Sequence, residues 1–355
     1  MFPFGRFKPY FLGHMEALSD TPYQLMVGVL LLSRLPRALI IHIKERNFKK
    51  YIRTLFKGNG LSIIVQLNGG LGNQLFQYAF ARSLSVQLKR EFRLDLAPFA
   101  TYYKADPYGL GKFNIKEQIA RDSDLLGFIW LRKHNAFFRF IYHRLRLKYL
   151  FSFFYYIERT FMYDQQVSSS EASYYEGFWQ TEKYFKNIED ELRKEITLKA
   201  SFSEHSQEIL EQIEKTNAVS LHVRRYASEH INPWHGFCSL EYYVEAINLI
   251  AKSFPNPHFF IFSDNYPWVI ENFLPILESL GHPFTLVEND NGKNSEDMIL
   301  MSHCKHHIIA NSSFSWWGAW LNPRKDKMVI APKKWFANAP KNDTRDLLPE
   351  GWIKI

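Results

Sequence analysis

The sequence has little cysteine, and it lacks an acidic cluster of the kind that holds a metal ion. Cys238 and Cys304 are the only cysteines in 355 residues. Two cysteines provide neither a disulfide framework nor a zinc cluster, and this scarcity favours a reducing compartment. No DxD-like motif is present that could bind a metal ion beside a phosphate. We therefore predict a site without a metal.

The N-terminal 60 residues lack an uninterrupted run of the roughly 20 apolar residues that a membrane-spanning helix needs. Their most apolar stretch is broken by Arg34, Pro36 and Arg37, and its flanks do not fit a signal peptide. Residues 1–60 hold ten Lys and Arg against three Asp and Glu, so they carry +7 of the chain's net charge of +8. The nearly neutral remainder argues against a nucleic-acid groove.

Two interpretations of this basic extension stay open. It is either a peripheral amphipathic anchor at a membrane surface or a poorly ordered extension. We expect a cytoplasmic protein, with peripheral contact to the inner face of the membrane if residues 1–60 form an anchor. We expect no nucleic-acid partner.

The body of the chain opens with the unit that begins nucleotide-binding α/β domains. An apolar strand is predicted over 61–67, and it is followed by a glycine-rich turn and a helix. The pattern is neither the GxGxxG fingerprint nor a P-loop. Its glycines would let a ligand approach the backbone, and Asn73 and Gln74 would offer neutral hydrogen-bonding groups.

Two stretches follow whose chemistry is open to more than one interpretation. From 125 to 157 the chain has six Lys and Arg, many aromatic residues and no acid. This pattern favours helical packing with solvated basic faces over a surface near anionic lipid or a lipid-linked acceptor. The segment 174–196 begins with an aromatic-rich loop that could stack on a sugar, and it ends in a charged amphipathic helix. A domain boundary is predicted near 197–203.

The second half alternates strands and helices, as a parallel α/β sheet does. Strands are predicted at 218–223, 258–262, 284–287, 307–310 and, as the last one, 328–331; helices are predicted at 204–215, 240–253 and 269–280. The polar motifs HVRR, FSDN and NSS each follow a strand. Ligands of parallel α/β sheets bind at the carboxyl ends of the strands, so these motifs predict one shared site.

The residue types in these motifs indicate which ligand the site would hold. Considered alone, the serines of the NSS turn favour simple capping of a buried aromatic helix over phosphate binding. Together with Arg224 and Arg225, they favour a clamp for a diphosphate. An acid such as Asp264 or Asp297 could accept hydrogen bonds from a guanine edge, which favours guanine over uracil.

Five motifs together carry a resemblance to a known family. They are NGGLGNQLFQYAFARSLS, GFWQTEKYF, HVRR, FSDN with Trp268, and SEDMILMSHCKHHIIANSSFSWWGAWLN. In these motifs the chain, from about residue 63 to the C-terminus, resembles the bacterial α-1,2-fucosyltransferases of glycosyltransferase family 11. Residues 1–60 are not covered.

The resemblance implies an α/β fold of the GT-B type, with two Rossmann-like domains facing a central cleft. After the extension of 1–60, residues 61–200 would form the N-terminal domain on the acceptor side. Residues 201–355 would form the C-terminal domain that binds GDP-β-L-fucose. It also implies inversion at the anomeric carbon, no metal requirement and no cofactor besides the donor substrate.

The resemblance also implies roles for four residues of the C-terminal half. His222 and Arg224 match the HxR pair of the donor motif. Arg224 would be the catalytic residue that neutralises the departing pyrophosphate, and Arg225 would support it. Asp297 would bind the guanine edge and orient His222.

Two helix starts complete the implied donor site. Ser312, Ser313 and the backbone amide of Phe314 would hold phosphate oxygens. Gly72 and Asn73 would close over the donor sugar.

The chain departs from the family pattern directly after the arginines. Tyr226-Ala227 stands where the family usually has Gly-Asp, so an acid that could orient Arg224 or assist proton removal is missing there. Asn265 likewise replaces a frequent second aspartate. The nearby candidates for a replacement are Glu229, His230 and His235. We do not rank them, and we assign no general base.

The sequence therefore predicts transfer of L-fucose to O2 of a galactose-type acceptor, in glycan or surface polysaccharide synthesis. One alternative is a GDP-sugar transferase of different regiochemistry. A second is a weakly active homologue that only binds the donor, which the change at Tyr226-Ala227 favours. A third is a membrane-surface scaffold that works through residues 1–60, whose deletion would then abolish function.

Overall fold

The structure is a computed structural model that describes residues 62–101, 107–125, 155–170, 172–225, 235–288, 294–337 and 343–355. Ser62–Ala120 and Phe154–Ile355 form one compact unit. A second unit comprises Met1–Leu61 and Arg121–Phe153, of which only 121–125 are described. The predictions for residues 1–60 and for most of 125–157 lie outside the described residues.

The first part of the chain forms a four-stranded sheet whose strand pairs are all parallel. Its elements are β1 (Ile63–Gln66), α1 (Leu71–Leu88), β2 (Phe92–Asp95), α2 (Ala97–Thr101), α3 (Asp122–Leu125), β3 (Tyr155–Ile157), β4 (Tyr174–Glu176) and α4 (Glu189–Glu195). Short 3-10 helices are Leu110–Lys112, Gln165–Ser169, Glu182–Tyr184 and Lys186–Ile188. The strand order is β2–β1–β4–β3.

The second part forms a six-stranded sheet, again parallel in every pair, with the order β10–β9–β8–β5–β6–β7. Its elements are α5 (Glu204–Lys215), β5 (Asn217–Val223), α6 (Leu240–Ser253), β6 (Pro257–Ser263), α7 (Tyr266–Asn272), α8 (Leu274–Leu280), β7 (Phe284–Leu286), α9 (Asn294–His303), β8 (His306–Ile308), α10 (Ser313–Leu321), β9 (Val329–Ala331) and β10 (Ile353–Lys354). Apolar runs such as that of β5 suit a sheet that is covered on both faces.

Helix α10 is apolar around its whole circumference because it is buried on all sides. Trp316 and Trp317 are fully buried, and Trp320 is 2% exposed. The ring centroid of Phe76, on α1, lies 4.4 Å from that of Trp316 and 5.1 Å from that of Trp317. Phe185 stacks on Trp317 at 5.5 Å. The helix that follows β8 therefore packs in the same hydrophobic core as the first sheet.

The α/β class with parallel sheets is confirmed. The arrangement of two Rossmann-like domains around a cleft, and the boundaries near residues 60 and 200, stay predictions.

Two predicted elements of the second half are wrong in detail. The helix predicted over 269–280 is two helices that meet at Phe273, because Pro275 lacks the N–H that a continuous helix would use. The strand at 329–331 is not the last one. Ile353 pairs with Ile330 in a further parallel strand, β10, which has only two residues and gives no periodic signal.

The aromatic-rich segment that begins at Tyr174 is also largely not the sugar-stacking loop predicted for it. Tyr174 and Tyr175 belong to strand β4 and are at most 1% exposed. Trp179 is fully buried and stacks on Phe80 at 4.0 Å. Phe80, Tyr175 and Trp179 belong to the core of the first sheet, and of the four aromatic residues in 174–179 only Phe178 is partly exposed.

No helix in the described part of the chain is long and apolar enough to cross a membrane. The predicted membrane contact involves residues 1–60, which lie outside that part.

Candidate active site

The carboxyl ends of β5 and β6 bring an arginine pair next to an acid. His222 pairs with Phe262 and Val223 with Ser263, so the residues that follow the two strands are neighbours. The Asp264 Oδ2 atom lies 3.4 Å from Nε of Arg224, and its Oδ1 atom accepts the backbone N–H of Arg225 at 2.8 Å. Asp264 therefore holds both the side chain of the first arginine and the backbone of the second.

This contact bears on the missing Gly-Asp after the arginines. An acid that orients Arg224 is present, and it comes from the neighbouring strand instead of from positions 226–227. The Arg224 side chain is 33% exposed, so part of the guanidinium faces solvent at the edge of the sheet.

The second arginine is fixed by aromatic rings. The guanidinium carbon of Arg225 lies 3.4 Å from the ring centroid of Trp268 and 5.3 Å from that of Phe237. Burial lowers the pKa of Arg225, and its buried Nε has no hydrogen-bond partner among the described residues. A cation between two rings keeps a fixed plane, so this guanidinium is held in one orientation.

His222 lies in the interior just before the arginines and is 3% exposed. Burial and then the charge of Arg224 lower its pKa to about 3, so the imidazole is neutral at neutral pH. Its Nδ1 atom is buried and has no partner in the part of the chain that the structure describes. Its ring centroid lies 5.6 Å from that of Phe314, which places the end of β5 beside the first turn of α10.

The NSS turn caps α10 in the way that its serines predict. Ser312 is the N-cap residue, and its Oγ accepts the backbone N–H of Phe314 at 3.3 Å. Ser313 donates its Oγ–H to Oδ1 of Asn73 at 2.9 Å. The capping interpretation is confirmed. The phosphate-binding role of Ser312, Ser313 and Phe314 stays a prediction.

Gly72 is required because two helix starts cross at this point. A Cβ atom at Gly72 would lie 2.5 Å from the carbonyl carbon of Ser313 and 2.6 Å from the nitrogen of Phe314. Its carbonyl accepts the indole N–H of Trp317 at 3.0 Å. The close approach of α10 therefore explains this glycine. Its predicted contact with the donor sugar is a separate matter and stays a prediction.

Asn73 connects this crossing to the first sheet. Besides Ser313, its Oδ1 accepts Nε2–H of Gln180 at 2.7 Å. Gln180 lies on the segment that follows β4, so one amide oxygen joins α1, α10 and the carboxyl end of the first sheet. The sequence places Asn73 in a ligand-binding turn, and its observed contacts are with protein groups.

Asp297 lies in the first turn of α9 and acts electrostatically on Tyr266. Burial and then the charge of Asp297 raise the pKa of the Tyr266 hydroxyl, and Asp264 contributes in the same direction. Both acids therefore lie within electrostatic range of one tyrosine at this edge of the second sheet. The roles of Asp297 toward guanine and toward His222 stay predictions.

Comparison with known proteins identifies the family. The model of the family described as Glycosyl transferase family 11 matches residues 131–355. The chain belongs to glycosyltransferase family 11. It is therefore a glycosyltransferase, and the resemblance found in its motifs is confirmed.

The chain is similar to three named relatives. The chain is 34% identical to an α-1,2-colitosyltransferase of Escherichia coli over 300 residues, which cover 82% of this chain and 98% of the relative. It is 30% identical to the O-antigen biosynthesis glycosyltransferase WbnK of Escherichia coli over 320 residues, 81% of this chain and 99% of the relative. It is 27% identical to mouse galactoside α-(1,2)-fucosyltransferase 2 over 146 residues, 39% and 41% of the two chains.

In this family 11 glycosyltransferase, three residues of the sequence motifs have organising contacts that the sequence did not assign to them. Asp264 and Trp268 hold the two arginines, and their position directly after a strand in FSDNYPW is the signal that could have assigned them this role. Asn311 is the third. Its Nδ2 donates to the carbonyls of His235 at 3.0 Å and Trp335 at 3.1 Å, and so fixes the segment beside the NSS turn.

Asp264 pairs with Arg224, and Asp264 and Asp297 both act electrostatically on Tyr266. Within the described ranges, no three His, Cys, Asp or Glu side chains are grouped so that they could hold a metal ion. The metal-free site stays a prediction.

Proposed function

We propose that this protein transfers L-fucose from GDP-β-L-fucose to O2 of a galactose-type acceptor, with inversion and without a metal ion. The observation that carries the proposal is the arrangement around Arg224. Its guanidinium is oriented by Asp264 and partly exposed, and the neighbouring imidazole of His222 contacts Phe314 in the first turn of α10. A cation and a helix N-terminus at one edge suit a nucleoside diphosphate.

The reaction would depend mainly on stabilising the leaving group. Transfer of a deoxyhexose passes through a loosely bonded, oxocarbenium-like transition state, in which negative charge develops on the departing GDP. Arg224 would donate N–H groups to this charge, and interactions that strengthen as charge develops lower the barrier. The acceptor hydroxyl would attack from the opposite face and give an α-linkage.

Arg225 would contribute differently from Arg224. Its guanidinium is packed between Phe237 and Trp268, and its backbone N–H is bound by Asp264. We infer that it adds a fixed positive charge behind the diphosphate, while Arg224 makes the direct contact. The neutral imidazole of His222 would supply a hydrogen-bonding group without a further charge.

The relatives support the linkage and the sugars. The 34% identical relative is an α-1,2-transferase, and the mouse relative is a galactoside α-(1,2)-fucosyltransferase.

The proposal includes the GT-B arrangement, with 61–200 on the acceptor side and 201–355 binding the donor. It also includes a cytoplasmic location, with peripheral membrane contact if residues 1–60 form an anchor.

A second candidate is transfer of colitose. It is favoured by the identity of 34% with the colitosyltransferase, which extends over 82% of this chain. Both candidates use the same arginines and differ only in the sugar that is transferred.

The test is release of GDP from GDP-fucose and from the corresponding colitose donor, with a panel of β-galactosides, in the presence and absence of EDTA. We expect acceptor-dependent, EDTA-insensitive release and a product whose α-1,2 linkage is visible by NMR. Faster turnover with the colitose donor would favour the second candidate. Failure to bind either donor in calorimetry would refute the assignment of the donor.

A further inference from the structure

A strip of four aromatic rings at the edge of the site has no role in the donor chemistry. The ring centroids of Phe178 and Phe161 are 6.2 Å apart, those of Phe161 and Phe336 are 5.2 Å apart, and those of Phe336 and His235 are 5.5 Å apart. All four side chains are partly exposed. Phe161 and Phe178 follow strands of the first sheet, whereas Phe336 follows β9 of the second. We call these four residues the aromatic strip.

Packing against a core explains Phe336 but not the other two phenylalanines of the strip. Nearby aromatic residues such as Trp179 and Tyr175 are fully buried in the core of the first sheet. Phe161 contacts both Phe178 and Phe336, and neither Phe161 nor Phe178 belongs to a hydrophobic core of the described residues. Burial in a core would remove far more apolar surface from water, so rings left at a sheet edge suit contact with a ligand.

One end of the strip adjoins the catalytic arginine. The carbonyl of His235 accepts Nδ2–H of Asn311 at 3.0 Å, and Asn311 directly precedes the N-cap residue Ser312. Burial and then the charge of Arg224 lower the pKa of His235, so the imidazole lies within electrostatic reach of that guanidinium. The strip therefore starts where the leaving diphosphate would be bound.

The other end is held in a fixed conformation. The Glu158 carboxylate accepts the backbone N–H of Phe178 at 2.6 Å and that of Trp179 at 3.0 Å. Trp179 has φ 57°, a left-handed conformation that is uncommon for a bulky residue and persists where the surroundings enforce it. Glu158 is therefore a positioning residue that fixes the turn bearing the Phe178 ring before any ligand arrives.

We propose that Phe161, Phe178 and Phe336 form the acceptor subsite and bind the apolar face of a β-galactoside ring. This inference rests on the proposed function. A galactose ring presents one face made largely of C–H groups, which packs well against aromatic rings, while its hydroxyls stay hydrated or bind polar groups. A sugar stacked on Phe161 and Phe336 would lie beside His235, which is within electrostatic reach of Arg224. That position suits attack on a donor whose diphosphate is held by Arg224.

The test compares Phe161→Leu and Phe178→Leu with Phe254→Leu. Leucine keeps apolar volume and removes the flat ring. Phe254 is also partly buried and also stacks on an aromatic side chain, His306 at 3.6 Å, but it precedes β6 and so lies at the opposite end of the second sheet. We expect the two strip variants to raise KM for the β-galactoside about tenfold and to change Kd for GDP-fucose less than about twofold. Phe254→Leu should change neither constant.

A second measurement applies when turnover is slow. Saturation-transfer NMR with methyl β-galactoside in the presence of GDP should show ring-proton signals for the wild type and for Phe254→Leu, and weak ones for Phe161→Leu. Wild-type signals in both strip variants, or an unchanged acceptor KM, would overturn the subsite and leave the donor assignment intact. A parallel loss of donor affinity would also overturn it, because the rings would then serve folding. If the wild type binds no GDP-fucose, the proposed function itself fails.

Discussion

The carboxyl ends of the two parallel sheets differ in their chemistry. The second sheet ends in two arginines, of which Arg224 pairs with Asp264 and Arg225 is packed against Trp268. The first sheet ends in Phe178 and Gln180 and in three acids, Asp95, Glu158 and Glu176, whose carboxylates accept hydrogen bonds from tyrosine hydroxyls or backbone N–H groups. The arginine pair is therefore supplied by the second sheet alone, and the acids of the first sheet are bound by protein groups. A transferase needs this asymmetry if one partner is a nucleoside diphosphate and the other an uncharged sugar.

The largest effect is expected from the loss of Arg224. Arg224→Ala should lower kcat about 10²- to 10³-fold, because it removes a donor to the developing charge of the diphosphate. Initial rates of GDP release with saturating acceptor measure this loss.

Arg324→Ala is the matched control for that variant. Arg324 is exposed and pairs with Asp326 at the surface, so its removal should leave kcat unchanged. If Arg224→Ala and Arg324→Ala changed kcat equally, Arg224 at the end of the second sheet would have no specific part in catalysis.

An intermediate effect is expected at Gly72, where helix α1 contacts helix α10. Gly72→Ala should destabilise the protein by about 1–3 kcal/mol, because the new methyl group overlaps the backbone of Ser313 and Phe314. Urea denaturation measures the loss. Gly111→Ala is the control, since the nearest atom to its Cβ would be a Glu117 oxygen at 3.4 Å, an ordinary contact. Equal free energies of unfolding for Gly72→Ala and Gly111→Ala would contradict this prediction. They would mean that the first turns of α1 and α10 move apart at little cost.

The smallest effect is expected for Trp268, the aromatic residue that packs against Arg225. Trp268→Leu should weaken binding of GDP-fucose about fivefold, because Arg225 loses a cation–π contact worth about 1 kcal/mol. Titration calorimetry measures Kd, and Trp268→Phe should restore most of the affinity. An equal loss in both variants would indicate that the indole acts by its size and not by its π-face.

The sequence predicted the second sheet better than the first. Helices α5 and α6 lie at their predicted residues, since each has a serine N-cap and a clear apolar face. Strands β2, β3 and β4 were not predicted as strands, because they have only three or four residues and are partly charged or aromatic. Short strands are defined by their neighbours, and neighbours are not visible in local periodicity.

The residues of the site were predicted from motifs, and their contacts were not. The motifs HVRR and NSS placed Arg224 and Ser312 at strand ends, where they lie. The hydrogen bond between Asn73 and Ser313 joins residues 240 positions apart, and no local pattern encodes it. The pairing of Arg225 with Trp268 is likewise a consequence of strands β5 and β6 being adjacent. Residue types indicate chemistry, whereas partners depend on topology.

The crossing of α1 and α10 also limits how the site can open. At Gly72 the two backbones are already so close that a methyl group does not fit, and below this point Trp316 and Trp317 pack on Phe76 without solvent exposure. Pulling the helices apart would expose these indoles to water, whereas rotation about the contact would keep them covered. We therefore expect any opening of the candidate site to occur by rotation about this contact, with the hydrogen bond between Asn73 and Ser313 kept.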